Sequence, residues 1–485
     1  MLEIAGLKSL RRFDKRDLLF ALLFLSFFGY LFVTGEPLYV GDTFQYENQM
    51  IMREPVYALL IQLCRAISPQ YHYQMIILIQ NLLAAAANTA VIGFMRKQFH
   101  LNLWESLVFA GILLVPHIMT PVFASTHLVL TNALMTEGIL FSLYPLAFAS
   151  LLDMMWSGKP VGKKGFRTLA FFLLLSLIRG QMMVLFVVWF LAAYVLAVKN
   201  GIAATDRTRD GKNTFVLAES IGKQGLVVIL AAFIIAFAAR SVLIHVYNYC
   251  EQGLFVDTAS GKAMSFANVL YVADRADGEA IADDELRAVF YEMYDRADAD
   301  RMNYKYAPPG LLGRARHHEE CHDELNFTYF SDAARQYVGE KQGIYADRYQ
   351  ELMIALDEVA ADLSAELMPE VLGRYVWNYL SVAALGFIRT VAYENSFLAW
   401  YAVLIYIAAA ALTVMLWRRD PGSRAASFMA VVLLTIAGNV CATALMIQCI
   451  SRYMIYNLPL FYMAGFLELR EIMGKAGLRI WDIRN

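Results

Sequence analysis

The residues best placed for chemistry follow the first long apolar run, in Gly41-Asp42-Thr43-Phe44-Gln45-Tyr46-Glu47. Asp42 and Tyr46 are four apart, so a helix would put them on one face. Glu47, Arg53, Glu54 and Pro55 come next, ahead of the apolar stretch Val56 to Leu63. A carboxylate beside a membrane crossing can take the proton of a substrate hydroxyl that arrives from water while the rest of the substrate stays in lipid. A solvated turn is the plainer account of the same residues. Thr136-Glu137 stands at the end of another apolar run, where an ionisable group is costly and has a functional or pairing role; Arg240 is a partner by position. Arg179-Gly180 and Ser451-Arg452-Tyr453 interrupt two further runs. Guanidinium groups suit a phosphate or diphosphate, although one arginine alone is explained by snorkelling.

Other candidates carry less. His317-His318-Glu319-Glu320-Cys321-His322-Asp323 has metal-ligating types but lacks the usual spacing, and it is expected to be a solvated loop. No metal ligands are assigned. Asn326-Phe327-Thr328 is a formal glycosylation acceptor. The absence of a Walker-type glycine loop argues against an ATP-driven pump.

The elements that position these residues lie mostly in lipid. The 485-residue chain is 59% hydrophobic and 17% charged, which excludes an ordinary soluble domain. A formal charge of −2 gives no case for nucleic acid. The first apolar run lacks a small-residue cleavage site and reads as a retained anchor. Five cysteines exclude a disulfide scaffold; Cys250 and Cys321, in the polar segment, are the two able to pair in an oxidising compartment. Crossings are expected over Leu18 to Thr34, Met75 to Phe94, Leu103 to Val122, Ala133 to Leu152, Leu226 to Tyr247, Leu398 to Trp417, Phe428 to Met446 and Tyr453 to Leu467. Leu169 to Val198 is too long for one crossing and is broken at Arg179-Gly180, giving two helices, the first about ten residues long.

Basic residues fall in every second connection: Arg11, Arg12, Lys15 and Arg16; Arg96 and Lys97; Lys159, Lys163, Lys164 and Arg167; Lys199, Arg207, Arg209, Lys212 and Lys223; Arg418, Arg419 and Arg424; Lys475 and Arg479. That alternation implies about ten spans with both termini in the cytoplasm. The expected fold is therefore an all-α polytopic membrane protein with a helical extracytoplasmic domain. Residues 1–248 form an N-terminal membrane module whose outer loop, 35–74, holds Asp42. Residues 249–370 form the outer domain, with about 25 acidic against about 11 basic residues. Residues 371–394, begun by Pro369, form an interfacial helix, and 395–485 the last spans. Inside the domain, Leu286, Val289, Phe290, Met293 and Tyr294 have helical spacing, as do Leu352, Leu356, Val359 and Leu363, and Pro308-Pro309-Gly310 breaks the middle.

These pieces together resemble the GT-C superfamily of integral-membrane glycosyltransferases, including members similar to protein mannosyltransferases and lipid A aminoarabinose transferases. The resemblance rests on the first-loop acid followed by Pro-Val-Tyr-Ala-Leu-Leu (Pro55 to Leu60), on Thr136-Glu137 opening a membrane helix, on the hairpin broken at Arg179-Gly180, and on Ser451-Arg452-Tyr453 with Pro459. It covers the membrane region and not the acidic domain. Three departures stand out: Asp42 is followed by Thr43 rather than a second acid, Arg179 by glycine where many relatives have proline, and the Trp-Trp-Asp-Tyr-Gly motif is absent.

The resemblance implies an inverting transfer from a polyprenyl-phosphate sugar to a glycan, lipid or protein at the extracytoplasmic face of the plasma membrane of a bacterium. Asp42 is then the base, Arg179, Arg452 and Tyr453 bind the lipid phosphate, Glu137 positions the acceptor or an arginine, and Tyr46, Glu47 and Arg53 shape the sugar pocket. Several members bind a divalent cation near the first-loop carboxylate, so a cation near Asp42 is the one cofactor suggested. Two alternatives remain: a polymerase or ligase using undecaprenyl-diphosphate glycans, with its essential charges in Tyr249 to Asn395, and a flippase or transporter, which calls for ionisable groups near the bilayer midplane and paired broken helices.

Overall fold

A computed structural model describes residues 14–123, 128–207, 214–392 and 398–475. Of the basic residues behind the expected orientation, Arg11, Arg12, Arg209, Lys212 and Arg479 lie outside the described residues, as do 124–127 of the link before Glu137. The chain opens with α1 (Lys15–Thr34), then the first-loop helices α2 (Gly41–Glu47) and α3 (Pro55–Ile67). Next come α4 (His72–Phe99), α5 (Leu103–Phe123), α6 (Glu137–Ser157), α7 (Lys163–Ile178), α8 (Val184–Arg207) and α9 (Thr214–Gln252). The polar segment supplies α10 (Gly261–Val272), α11 (Asp284–Ala299), α12 (Leu311–Glu324) and α13 (Ser331–Gln342), and leads into the long α14 (Tyr349–Ala392). The last helices are α15 (Leu398–Arg419), α16 (Arg424–Met446), the single turn α17 (Ser451–Met454) and α18 (Leu458–Lys475).

Among the described residues, nine helices are long and apolar enough to cross a bilayer. The protein is an all-α, multi-pass membrane protein. A helix can span lipid because its backbone groups pair internally. Two stretches expected to cross, Leu169 to Ile178 and Tyr453 to Leu467, fall on α7, α17 and α18, which are not among the nine. The stretch 346–392 is among them. The expected break at Arg179-Gly180 is present: α7 ends at Ile178, and a short 3-10 turn, Gly180–Met183, leads into α8. However, α7 starts at Lys163, so it has 16 residues and reaches about 24 Å, longer than the expected helix of about ten.

The helices share two apolar cores. One runs through the membrane bundle. The other joins α10, α11, α13 and the first part of α14, and includes Ile51 of the first loop. Both predicted helical faces of the acidic segment are buried there, on α11 and α14. Two expectations need correction. Pro369 does not start a helix: α14 runs through it, so 371–391 continues the domain helix. Leu363, Leu367 and Val371, all fully buried, form an i, i+4, i+8 stripe across the proline, and that packing outweighs its local breaking tendency. Residues 317–323 are not a solvated loop but lie in α12, with His318, Cys321 and His322 buried.

The end of the bundle away from Asp42 gathers basic residues. Arg96 pairs with Asp17 at 2.6 Å and with Asp14 at 3.0 Å, and Arg470 pairs with Glu105 at 2.7 Å. Arg424 donates to Gln98 Oε1 at 3.0 Å, and Lys164 and Arg167 share Asp153.

Candidate active site

The first loop is stitched to the segment before α6. Leu38 and Ala133 form an isolated parallel bridge, with Leu38 N donating to Asn132 O at 2.8 Å and Leu134 N to Leu38 O at 3.0 Å. Thr43, fully buried, donates through Oγ1 to Leu134 O at 2.8 Å. A second acid at position 43 could not make that bond, since an ionised carboxylate only accepts. The departure beside Asp42 is thus an anchor that fixes α2 to the entry of α6, and so fixes Asp42 relative to Glu137.

Four chain segments meet at this point. Arg53 Nη2 donates to Asp42 Oδ1 at 2.7 Å, its Nε to Gln45 Oε1 at 2.5 Å, and its guanidinium lies 5.2 Å from the centre of the Tyr46 ring. Arg179 Nη1 pairs with Glu137 Oε1 at 2.8 Å and donates to Thr136 Oγ1 at 3.0 Å. Arg452 bridges the two carboxylates, with Nη2 3.9 Å from Asp42 Oδ2 and Nε 3.9 Å from Glu137 Oε1. Tyr453 lies between the arginines: Arg179 and Arg452 sit 4.5 Å and 5.0 Å from its ring centre, and its hydroxyl accepts from Arg452 Nη2 at 3.0 Å. Glu137 is fully buried. Asp42, Glu137, Arg53, Arg179, Arg452, Tyr453 and Tyr46 therefore lie in one cluster.

The cluster has one guanidinium more than it has carboxylates. The Nε of Arg452 and the hydroxyl of Tyr456 are buried without a hydrogen-bond partner. Burial works to raise the Asp42 carboxyl, but the guanidiniums of Arg53, Arg452 and Arg179 outweigh it and hold the group below its ordinary value of 3.8. Burial pushes the Tyr46 phenol up to about 12, so it stays neutral. Tyr46 packs edge-on against Tyr57, with ring centres 5.0 Å apart, and serves as a floor under Asp42 and Arg53.

Two predicted partners lie elsewhere. Glu47 is held away from Asp42 by Arg65 at 2.6 Å, Tyr73 at 2.6 Å and Tyr39 at 3.0 Å, so it braces the loop. Arg240 does not pair with Glu137; it lies 3.4 Å from Glu54 and 3.6 Å from Asp257. That pair accounts for Gly180, because a Cβ there would lie 2.6 Å from Glu54 Oε1 and 3.4 Å from Arg240 Nη2. The glycine after Arg179 is a close-approach position. Cys250 is exposed on α9 while Cys321 is buried on α12 beside His317; both are free thiols. Asn326 is buried, so the folded protein has no room for a glycan on its amide.

No family model, characterised protein or solved structure matches this chain.

Several contributors were missed in the sequence. Gln181 Nε2 donates to Tyr453 O at 3.0 Å and Asn439 Nδ2 to the same oxygen at 3.1 Å, which holds the Arg452 turn. The second helical core reaches the site through α12. Glu319 pairs with Arg389 at 2.8 Å, and Arg389 donates to Cys449 O at 2.9 Å. Asp323 accepts from Gln448 Nε2 at 2.9 Å. A hydrogen bond from His322 holds the Asp323 carboxyl low against burial, aided by Gln448 and by the charges of His322 and Arg452. The spacing 317, 318, 321, 322 is a helical face, the signal that could have placed this segment on a helix.

The residues around Asp42 do not fit a divalent cation. Such an ion needs converging oxygens, whereas Asp42 is engaged by guanidiniums on both of its oxygens. Among the described residues, no group of three or more His, Cys, Asp or Glu is arranged to hold a metal. The arrangement suits an anion instead: planar guanidiniums with excess positive charge beside a carboxylate that can accept a proton.

Proposed function

We propose that this protein is a membrane glycosyltransferase that moves a sugar from a polyprenyl-phosphate-linked donor to an acceptor hydroxyl, with inversion. One observation carries the reading: two carboxylates and three arginines from separate segments meet at one end of an apolar bundle, with one positive charge in excess. The alternating basic connections support placing that end outside and both termini in the cytoplasm, with about ten spans. The acidic helical domain would then cover the site from outside.

In the proposed reaction the acceptor oxygen attacks the anomeric carbon. The bond from that carbon to the phosphate oxygen breaks, its electron pair leaves on the phosphate, and the acceptor proton passes to Asp42. Arg179 and Arg452 stabilise the charge gained by the leaving phosphate. Glu137 holds Arg179 in place, the positioning role among those open to it. A resting Asp42 held low by three guanidiniums is a weak base. A phosphate bound on Arg179 and Arg452 would cancel part of that field and strengthen the base only once the donor is present.

A polymerase or ligase gains one point of support, since α12 of the outer domain brings Asp323 and Glu319 to the site margin. Complementation separates the readings. A deletion strain is compared with its parent by mass spectrometry of envelope glycolipids and polymers, then supplied with wild type, Asp42→Asn or Asp323→Asn. The proposal expects loss of one sugar residue on deletion and no rescue by Asp42→Asn. Rescue by Asp42→Asn with failure of Asp323→Asn would favour the polymerase or ligase.

A further inference from the structure

The helices of the second apolar core grip the membrane bundle at two places, and each lies just before an arginine of the cluster. On the first loop, Ile51 is fully buried in that core, its N donates to Gln350 Oε1 at 3.2 Å, and its O accepts from Ala259 N at 3.1 Å. Arg53 follows two residues later. On the turn after α16, Leu445 O accepts from Asn268 Nδ2 at 3.2 Å, and Gln448 Nε2 donates to Asp323 Oδ1 at 2.9 Å. Arg389 Nη1 lies 2.8 Å from Glu319 Oε2 and donates to Cys449 O at 2.9 Å. Arg452 follows three residues later. The long α14 runs unbroken from this core to the turn, where a Cβ on its Gly386 would lie 3.0 Å from Cys449 Sγ.

Arg452 depends on this grip more than its neighbours do. Arg53 is fixed by Asp42 at 2.7 Å, and Arg179 by Glu137 at 2.8 Å. Arg452 stands 3.9 Å from both carboxylates, beyond hydrogen-bond distance, and its hydrogen bond goes to Tyr453 on the same turn. The place of its guanidinium is therefore set by the backbone of that turn. Gln181 and Asn439 hold the backbone from the bundle side, at Tyr453 O. Arg389 holds it from the side of α12. Arg389 is itself buried, so its charge needs both of its oxygens.

We infer that the acidic domain is a clamp that positions Arg452 at the proposed phosphate site, with Arg389 and Glu319 as the positioning residues. The inference rests on the lipid-phosphate reading above. Neither residue touches the donor. Glu319 orients Arg389, Arg389 fixes Cys449 O, and the turn then presents Arg452 beside Asp42. A single nitrogen of Arg389 makes both contacts, so an ammonium can replace the guanidinium there.

The test is binding of undecaprenyl phosphate to the full chain in phosphatidylcholine nanodiscs, with hydrogen exchange measured on the same samples. Arg452→Ala is expected to weaken binding about 10-fold or more. Arg389→Gln is expected to weaken it at least about 3-fold alone and less than about 2-fold in the Arg452→Ala background, because it acts through that arginine. Arg389→Lys should bind as wild type does. The Ile450 and Tyr453 amides should exchange faster in Arg389→Gln, with α11 unchanged. Should Arg389→Gln fail to fold, Gln448→Ala replaces it, since its partner Asp323 is well exposed and stays solvated. Unchanged exchange, unchanged affinity, an equal loss in both backgrounds, or an Arg389→Lys as weak as Arg389→Gln overturns the assignment. A wild-type chain with no affinity for the lipid overturns the phosphate reading instead. Exchange then judges the clamp alone, a faster turn supporting it and an unchanged one overturning it.

Discussion

The Glu137–Arg179 pair offers a test that separates holding the site together from doing chemistry in it. At 2.8 Å, with an effective dielectric of about 20, the Coulomb attraction is about 6 kcal/mol. Desolvation of both charges offsets much of this, so the pair adds little to net stability, yet removing one partner strands the other. Arg179→Gln removes the 2.8 Å partner of the fully buried Glu137 and leaves only Arg452 at 3.9 Å, and the expected loss is about 3–5 kcal/mol. Glu137→Gln leaves an arginine that is slightly exposed and stacked on Tyr453, so the loss sits at or below the low end of that range. The double glutamine variant replaces both charges and is expected to recover at least about 2 kcal/mol relative to the sum of the single losses. Unfolding free energies from SDS titration in mixed micelles give the four corners of the cycle, and sugar transfer is measured on the same preparations. Transfer should stay abolished in the double variant while stability returns. Additive losses, or single changes within about 0.5 kcal/mol of wild type, would refute the buried pairing described above.

Other outcomes follow from the same geometry. Asp42 contributes to stability above its ordinary pKa of 3.8, and that contribution is lost as pH falls through the lower folded value, so no acid limb from Asp42 is expected between about pH 5 and 8. Arg53→Ala removes one of the charges that hold the group down and leaves the burial that raises it; its rate profile against pH should show the acid limb moved upward. Gly180→Ala should lower the unfolding free energy, by about 1–3 kcal/mol at most, because Glu54 must swing away from Arg240; an unchanged free energy would contradict the close approach. Thr43→Val keeps the shape but strands Leu134 O, which should cost about 1–3 kcal/mol and reduce transfer by loosening Asp42 relative to Glu137.

Much of the architecture was legible because lipid and water sort residues strongly. The long apolar runs, the break at Arg179-Gly180 and the buried faces of α11 and α14 follow from hydropathy and helical period alone. That Asp42, Glu137, Arg179 and Arg452 share one membrane face is suggested by the alternating basic connections and by motif order. Their actual partners were not legible, because Arg53 on Asp42 and Arg240 on Glu54 depend on tertiary approach that no spacing encodes. Glu47 shares a short helix with Asp42 and its sequence suggests a place in the sugar pocket, yet α2 turns it toward Arg65 and Tyr73. Pro369 reads as a helix start because the buried stripe of Leu363, Leu367 and Val371 that carries α14 across it is a tertiary feature. The acidic segment was legible as helices but not as a contributor to the site, since Asp323 and Glu319 act through Gln448 and Arg389, over a hundred and about seventy residues away.

The central claim is that the Asp42 cluster breaks a sugar–phosphate bond on a lipid carrier. The most direct measurement is release of free polyprenyl phosphate, read by mass spectrometry, when the purified protein meets a panel of polyprenyl-phosphate sugars and membrane acceptors. Release and glycosylated product are expected with at least one donor, falling about 100-fold or more in Asp42→Asn while the donor still binds. Release by Asp42→Asn at the wild-type rate, or carrier moved across the membrane with its sugar intact, would contradict the claim.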